Sequence, residues 1–232
     1  MFVEKYIKME EIKHLAIIMD GNRRWAKERN VSVKKGHEAG ANTLMELCKI
    51  LKTYSIELVT VYAFSVENNE RSKEETDDLF LMLEKYLDSD IKKLQKESVN
   101  VRCIGNFEIF PERIRSKIIK INQNITQNSI FTLNIALNYG GKQEIVDACQ
   151  KIIENGEKID IKTIESNLYH KNMPDVDLLI RTGGKQRLSN FLLWQTTYAE
   201  LYFCETLWPD FTKQNLDFAL NFYHKQERNF GA

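Results

Sequence analysis

The sequence has no surplus of charge, with 33 basic and 33 acidic residues among 232. A chain without a global positive field has no general means of condensing on nucleic acid or an anionic membrane, so any anion it binds must be caught locally. Chain breakers are scarce, at ten glycines and three prolines, and there is no low-complexity stretch or internal repeat. This argues for a single domain over 1–232, with 1–12 as a flexible or helical N-terminal extension. The four cysteines, Cys48, Cys103, Cys149 and Cys204, lie about 45 to 55 residues apart and form no CxxC, so reduced, mostly buried thiols in a cytoplasmic protein are expected. The opening MFVEKYIKMEEIK is charged throughout and lacks the apolar stretch of a signal peptide. No run approaches the roughly 20 apolar residues of a membrane-spanning helix. A hydrophobic content of 43%, with 10% aromatic residues, is nevertheless enough for a substantial core.

Familiar catalytic signatures are also missing. The four histidines make no HExxH and no two-His-one-carboxylate spacing, which argues against catalytic zinc or iron. His14 and His224 read as structural, whereas His37, in KKGHEAG at a helix start, is placed to touch an anion. Gly141-Lys142 and Gly184-Lys185 both lack the earlier glycine and the following Ser/Thr of a Walker A loop, and no GxGxxG follows a strand. Asp77-Asp78 begins a DDxxD pattern that Leu81 fails to close, leaving a solvated helix turn.

What is present is an alternation of apolar, β-rich runs with longer helical ones. Strands are expected at 14–19, 58–64, 99–104, 130–137, 177–180 and 201–204, and helices at 36–52, 73–97, 111–123, 142–155, 160–169 and 213–228. This predicts an α/β fold with a mostly parallel central sheet of about six strands flanked by helices. Leu79, Leu83, Leu87, Ile91 and Leu94 form one apolar stripe on the longest helix. Such a stripe packs on the sheet, and part of it can line an apolar cavity. Polar and glycine-containing segments follow five strands: DGNRR, SVENNER, GNF, NYGGK and RTGGKQR. Open α/β sheets bind ligands at these carboxyl ends, so all five should converge on one rim.

Two segments there carry the chemistry. Asp20-Gly21-Asn22-Arg23-Arg24-Trp25 combines a carboxylate, a glycine and two guanidinium groups at a helix start. This set suits a diphosphate carrying Mg²⁺, although an Asp-Gly turn before a solvated helix would read the same. Arg181-Thr182-Gly183-Gly184-Lys185-Gln186-Arg187-Leu188-Ser189-Asn190 sets two arginines, a lysine and a hydroxyl around a Gly-Gly turn, able to encircle a second phosphate group. The pair implies two phosphate-bearing small molecules without nucleotide recognition. The loop Ser65-Val66-Glu67-Asn68-Asn69-Glu70-Arg71 can add hydrogen bonds and an arginine, and Glu200 is the best candidate for a second carboxylate near a metal.

HLAIIMDGNRRWA, AFSVENNER, NYGG, DLLIRTGGKQRLSNFLLWQTTYAELYF and LWPDF, in this order, resemble the cis-prenyltransferases, of the undecaprenyl diphosphate synthase type, from about His14 to Gly231. The resemblance implies a homodimeric α/β domain with a hydrophobic tunnel, which condenses isopentenyl diphosphate onto an allylic diphosphate such as farnesyl diphosphate with Mg²⁺ and releases pyrophosphate. It further implies peripheral membrane contact for product release and no nucleic-acid partner. By the same resemblance Asp20 is the essential aspartate and, with Glu200, the metal ligand. Gly21, Asn22, Arg24 and His37 match the allylic side and the reacting centre, with Arg23 and Trp25 in the same motif. Arg181, Arg187 and Ser189 match the isopentenyl diphosphate site, and Ser65, Asn68, Arg71 and Glu75 the loop over the substrates. Departures from the pattern are Val33 for a basic residue, Asn69 for Trp, Ser72 for Pro, Asn106 for Asp, Lys185 for Glu, and Asn229 in Asn-Phe-Gly for Arg-x-Gly, with Arg228 beside it. The RRW triplet and the RSxEE run from Arg71 to Glu75 resemble the branch that makes irregular, lavandulyl-type products. A non-catalytic partner subunit is a third reading, opposed by the retention of Asp20, Asn22, Arg24 and Glu200.

Overall fold

The first strand, β1 (His14–Ile18), is buried at all five positions, as a strand covered on both faces must be. The computed structural model describes residues 11–67, 73–171 and 173–227. β1 lies between β2 (Leu58–Ser65) and β5 (Leu178–Arg181), and the sheet is completed by β3 (Val99–Ile104), β4 (Phe131–Tyr139) and β6 (Glu200–Phe203) in the order β3-β4-β2-β1-β5-β6. Every adjacent pair is parallel. The chain leaves β1 toward β2 on one side and later returns to β5 on the other. The carboxyl end of β1 is therefore a topological switch point, where a crevice opens.

The helices are α1 (Asn22–Glu28), α2 (Val33–Leu51), α3 (Lys73–Lys96), α4 (Glu112–Gln123), α5 (Gly141–Glu154), α6 (Ile161–Asn167) and α7 (Lys213–Tyr223). α2 starts three residues before the expected Gly36 because Ser32 caps it, its hydroxyl accepting from the Lys35 N–H at 3.3 Å. α7 ends at Tyr223, five residues short of the expected 228, with His224 as its C-cap. Strand boundaries fall within two residues of expectation throughout.

Alternation along the strands divides the interior in two. Leu15 and Ile17, Val59 and Val61, Leu133 and Leu137 face the larger cluster, which α2, α3, α4 and α7 cover. Ala16, Ile18, Ala136 and Leu179 face a smaller cluster under Tyr139, Phe191 and Leu192. On this second face runs a buried polar seam. His14 Nδ1–H donates to the Pro174 carbonyl (2.9 Å), because a carbonyl can only accept, and so Nε2 accepts from the Thr60 hydroxyl (2.8 Å). Asn134 Nδ2 donates to Thr60 Oγ1 (3.3 Å) and to His170 Nδ1 (2.8 Å). His14 is thus structural, as its sequence context suggested.

Burial pushes His14 down to about 4, against a smaller opposing pull from the Pro174 carbonyl and Asp177. Burial likewise lowers His170 to about 4, helped by Arg102 and His14. The unfolded chain takes up these protons near pH 6.5 while the folded chain does not, so stability is lost as pH falls from 6.5 toward 4. His14 alone accounts for about 2 kcal/mol by pH 5. Urea-unfolding midpoints measured between pH 7 and 5, above most carboxylate titration, should fall steadily. A flat profile would contradict the neutral seam.

Candidate active site

Asp20 follows β1 by two residues, and its backbone is fixed from two directions. Its carbonyl accepts from the Thr182 hydroxyl at 2.7 Å and from the Trp208 N–H at 3.0 Å. Its carboxylate lies between two guanidinium groups, with Oδ1 3.1 Å from Arg24 Nη2 and Oδ2 3.0 Å from Arg181 Nη2. Each contact follows from local structure. Arg24 is four residues on, one helical turn into α1, and Arg181 pairs in register with Ile18 across the β1–β5 ladder. Arg181 is 4% exposed, and its Nη1 also donates to Ser189 Oγ (2.7 Å) and to the Arg187 carbonyl (2.5 Å). Arg24 Nη1 donates to the Gly183 carbonyl (2.6 Å). Glycine is required at two of these positions. Gly21 has φ +127, and a Cβ there would lie 2.9 Å from the Leu207 Cα. Gly183 has φ +80, and its Cβ would meet Arg24 Nη2 at 2.4 Å.

Asp20, Gly21, Asn22, Arg23, Arg24, His37, Ser65, Arg181, Arg187 and Ser189 all line one polar cavity at this rim. Four arginines face a single carboxylate there, an excess of positive charge suited to a multiply charged anion. A second, mostly apolar cavity of about 940 Å³, part of it open to solvent, extends from it between the sheet and α2 and α3. All five residues of the α3 stripe line it, together with Leu133, Ile135 and Leu137 of β4. Met19, Asn22, His37, Ala63, Phe64 and Leu79 belong to both cavities. At this junction Asn22 Oδ1 is buried without a hydrogen-bond partner among the described residues, a feature that calls for a ligand or water. Gly40 lets α2 approach this amide, since a Cβ would stand 2.3 Å from that oxygen.

Two residues singled out from the sequence are elsewhere. Trp25 projects from another side of α1, where its indole N–H donates to Asp210 Oδ1 (2.7 Å) beneath the Arg29 guanidinium, 4.4 Å from the ring centroid. Glu200 opens β6 opposite Leu178, at the amino end of the strand, whereas Asp20 stands beyond the carboxyl end of β1. A single chain therefore does not bring the two carboxylates together. Asn68 and Arg71, the side chain of Glu75, and the departures at Asn69, Ser72, Arg228 and Asn229 lie outside the described residues. Asn190 and Glu67, which the sequence placed in the two rim segments without a role of their own, join across the rim at 3.1 Å. Asn190 ends the segment that begins at Arg181, and it adopts the left-handed backbone that asparagine tolerates, at φ +62.

The family model described as "Putative undecaprenyl diphosphate synthase" matches residues 18–231. An isoprenyl transferase of Rickettsia conorii is 46% identical over 228 residues, covering 98% of this chain and 97% of that protein. One from Wolinella succinogenes is 43% identical over 225 residues, at 97% and 99% coverage. Among solved structures, lavandulyl diphosphate synthase from Lavandula x intermedia, in complex with dimethylallyl diphosphate, superposes with a TM-score of 0.89 at 37% identity over 95% of this chain and 98% of its own. A "probable undecaprenyl diphosphate synthase" from Campylobacter jejuni gives 0.82 at 35% identity over 97% and 100%. The two cavities, the motifs and these relatives together place the chain in the undecaprenyl diphosphate synthase family of isoprenyl transferases, the cis-prenyltransferases.

Proposed function

We propose that the protein condenses isopentenyl diphosphate with an allylic diphosphate, such as farnesyl diphosphate, to form a cis-polyprenyl diphosphate of the undecaprenyl kind, a carrier lipid of the cell envelope. The observation that carries this reading is the direct opening of a four-arginine cavity into an apolar one through six shared residues. A prenyl diphosphate has this shape and polarity: a dianionic or trianionic head on a hydrocarbon tail.

On this reading the allylic carbon sits at the junction, near Asn22 and His37, with its tail among the α3 leucines. As its C–O bond breaks, negative charge builds on the departing diphosphate, where Arg24 and the α1 amino terminus are already oriented. Arg181, Arg187 and Ser189 hold the second diphosphate so that its alkene faces the same carbon. Carbon–carbon bond formation is followed by loss of a proton, for which a diphosphate oxygen or a residue of the loop after β2 serves as base. Among the described residues no three His, Cys, Asp or Glu side chains cluster to hold a metal. Mg²⁺ commonly takes one or two carboxylates and fills its shell with water and phosphate oxygens, so Asp20 fits an ion delivered with the diphosphate. There it would neutralise leaving-group charge.

The position of Glu200 on β6, at one end of the sheet, supports a homodimer in which a second chain packs along this edge and supplies the carboxylate. The enzyme proposed is cytoplasmic and meets the membrane peripherally to release product; no helix among the described residues is long and apolar enough to cross a membrane. The second reading, one short irregular condensation, is favoured by the 37% identity to lavandulyl diphosphate synthase.

Incubation with Mg²⁺, isopentenyl diphosphate and either farnesyl or dimethylallyl diphosphate, followed by product mass, decides among these. A ladder of five-carbon increments is expected. A single short branched product would install the second reading, and no product would overturn both. Asp20→Ala should lower turnover roughly a hundred- to a thousandfold, and retained turnover would remove the assignment. Mixing Asp20→Ala with Glu200→Ala subunits should restore about a quarter of wild-type rate, because half of random dimers then contain one intact site. No restoration would place Glu200 outside the partner's site. Leu133 lines the apolar cavity, and Phe131, 2% exposed, lies one step below it on the same face of β4, packed behind that lining. Phe131→Ala should lengthen the product by at least one five-carbon unit, at a stability cost of roughly 3–5 kcal/mol. An unchanged product mass would move the floor elsewhere.

A further inference from the structure

The turn that carries Arg187 and Ser189 is held in an unfavourable backbone. Ser189 (φ +49), Asn190 (φ +62) and Leu192 (φ +44) are all left-handed without being glycine, a conformation that persists only where surrounding contacts enforce it. Asn190 makes those contacts. Its carbonyl accepts from the Gly141 N–H at 2.7 Å, and its Oδ1 accepts from the Lys142 N–H at 2.9 Å. Both donors belong to the first turn of α5, whose own N-cap, Gly140, has no side chain to offer. Asn190 thus caps α5 from 48 residues away. Its amide Nδ2 then donates to Glu67 Oε1 at 3.1 Å, just beyond the end of β2, which carries Ser65. A Cβ on Gly140 would lie 2.7 Å from Asn190 Nδ2 and 2.9 Å from a Val66 methyl, so the three segments meet where only glycine fits.

We infer that Asn190 is a positioning residue that locks two walls of the polar cavity to each other. One wall is the end of β2 with Ser65, and the other is the turn with Arg187 and Ser189. The α5 amino terminus is their common anchor. Asn190 does not itself line the polar cavity. It fixes the Ser189 hydroxyl where Arg181 Nη1 meets it at 2.7 Å, and Arg181 in turn reaches Asp20. The affinity of one wall for a diphosphate therefore depends on the state of the other. The inference rests on the reading of this cavity as a diphosphate site.

Inorganic pyrophosphate with Mg²⁺, titrated calorimetrically, tests it without requiring turnover. Glu67→Ala, at an exposed position with no role in the core, should weaken binding about threefold to tenfold, and Asn190→Ala by at least as much. Glu67→Gln keeps the acceptor oxygen and should bind like the wild type. The double variant Glu67→Ala/Asn190→Ala should be no weaker than Asn190→Ala alone, since both remove one interaction. In steady state, the loss should appear in KM for isopentenyl diphosphate with kcat changed less than twofold. Additive losses, or an unaffected Glu67→Ala beside a weakened Asn190→Ala, would reduce Asn190 to a helix cap and overturn the inference. A wild-type chain that binds pyrophosphate but makes no product would refute the proposed reaction while leaving the coupling to be judged by binding. A wild-type chain that binds none would overturn both.

Discussion

The Arg181 guanidinium is the constraint on which the site is built. A cation at 4% exposure survives only if its charge is met, because an unpaired buried ion costs several kcal/mol. Asp20 meets it on one side, and the Ser189 hydroxyl and Arg187 carbonyl on the other. Asp20 is shared with Arg24, which reaches on to the Gly183 carbonyl. One buried charge therefore fixes the end of β1, the first turn of α1, the end of β5 and the turn after it. The parallel ladder makes this possible, since register sets Ile18 beside Arg181. The arrangement leaves the carboxylate accessible while its two cations hold its orientation, the preorganisation that anion chemistry demands.

The same sheet explains why a polar head site and an apolar tail site adjoin. Side chains on one face of β4 alternate into the large cluster at Leu133, Ile135 and Leu137, while Asn134 turns to the opposite face and the His14–Thr60 seam. The polar content of the sheet is thus kept away from the hydrocarbon-lined side. α3 covers that side through a stripe of five apolar residues, and its outward face bears Glu84, which meets Arg113 and Lys117 of α4 at 2.8 Å each. Charge neutrality over the whole chain is compatible with a strong local field because four arginines are gathered just beyond the adjacent ends of β1 and β5.

The fold was legible in the sequence because its strands are nearly continuous apolar runs broken by glycine-bearing turns, and period alone separates them from the helices. The rim was legible for the same reason: Asp20, Arg24, Arg181 and Ser189 sit at strand ends, where topology brings them together whatever their side chains do. Residues whose role depends on direction were not. Trp25 is in the same motif as Arg24, yet one position further round α1 turns it to Asp210. Glu200 lies at the amino end of β6, away from the rim, and linear order does not say which end of that strand faces it. Asn190 acts through a backbone conformation and a cap 48 residues away, neither of which leaves a local pattern. Sequence shows where elements end. It does not show where a side chain at a given angle goes.

An apolar cavity fed from a polar mouth imposes its own limit on a growing chain. Each added five-carbon unit buries more hydrocarbon, at roughly 25 cal/mol per Å², so a prenyl product is held more tightly as it lengthens until it meets the floor. Beyond that point further addition must displace side chains packed as densely as any protein interior. Growth then stops for steric reasons even though the diphosphate chemistry at the mouth is unchanged. Release runs the opposite way. The bound tail has no favourable exit into water, and only another apolar phase can match what the cavity gives it. On the proposed reading, the chemistry at Asp20 sets what is made, the floor sets how long it becomes, and the nearness of a lipid surface sets how fast it leaves.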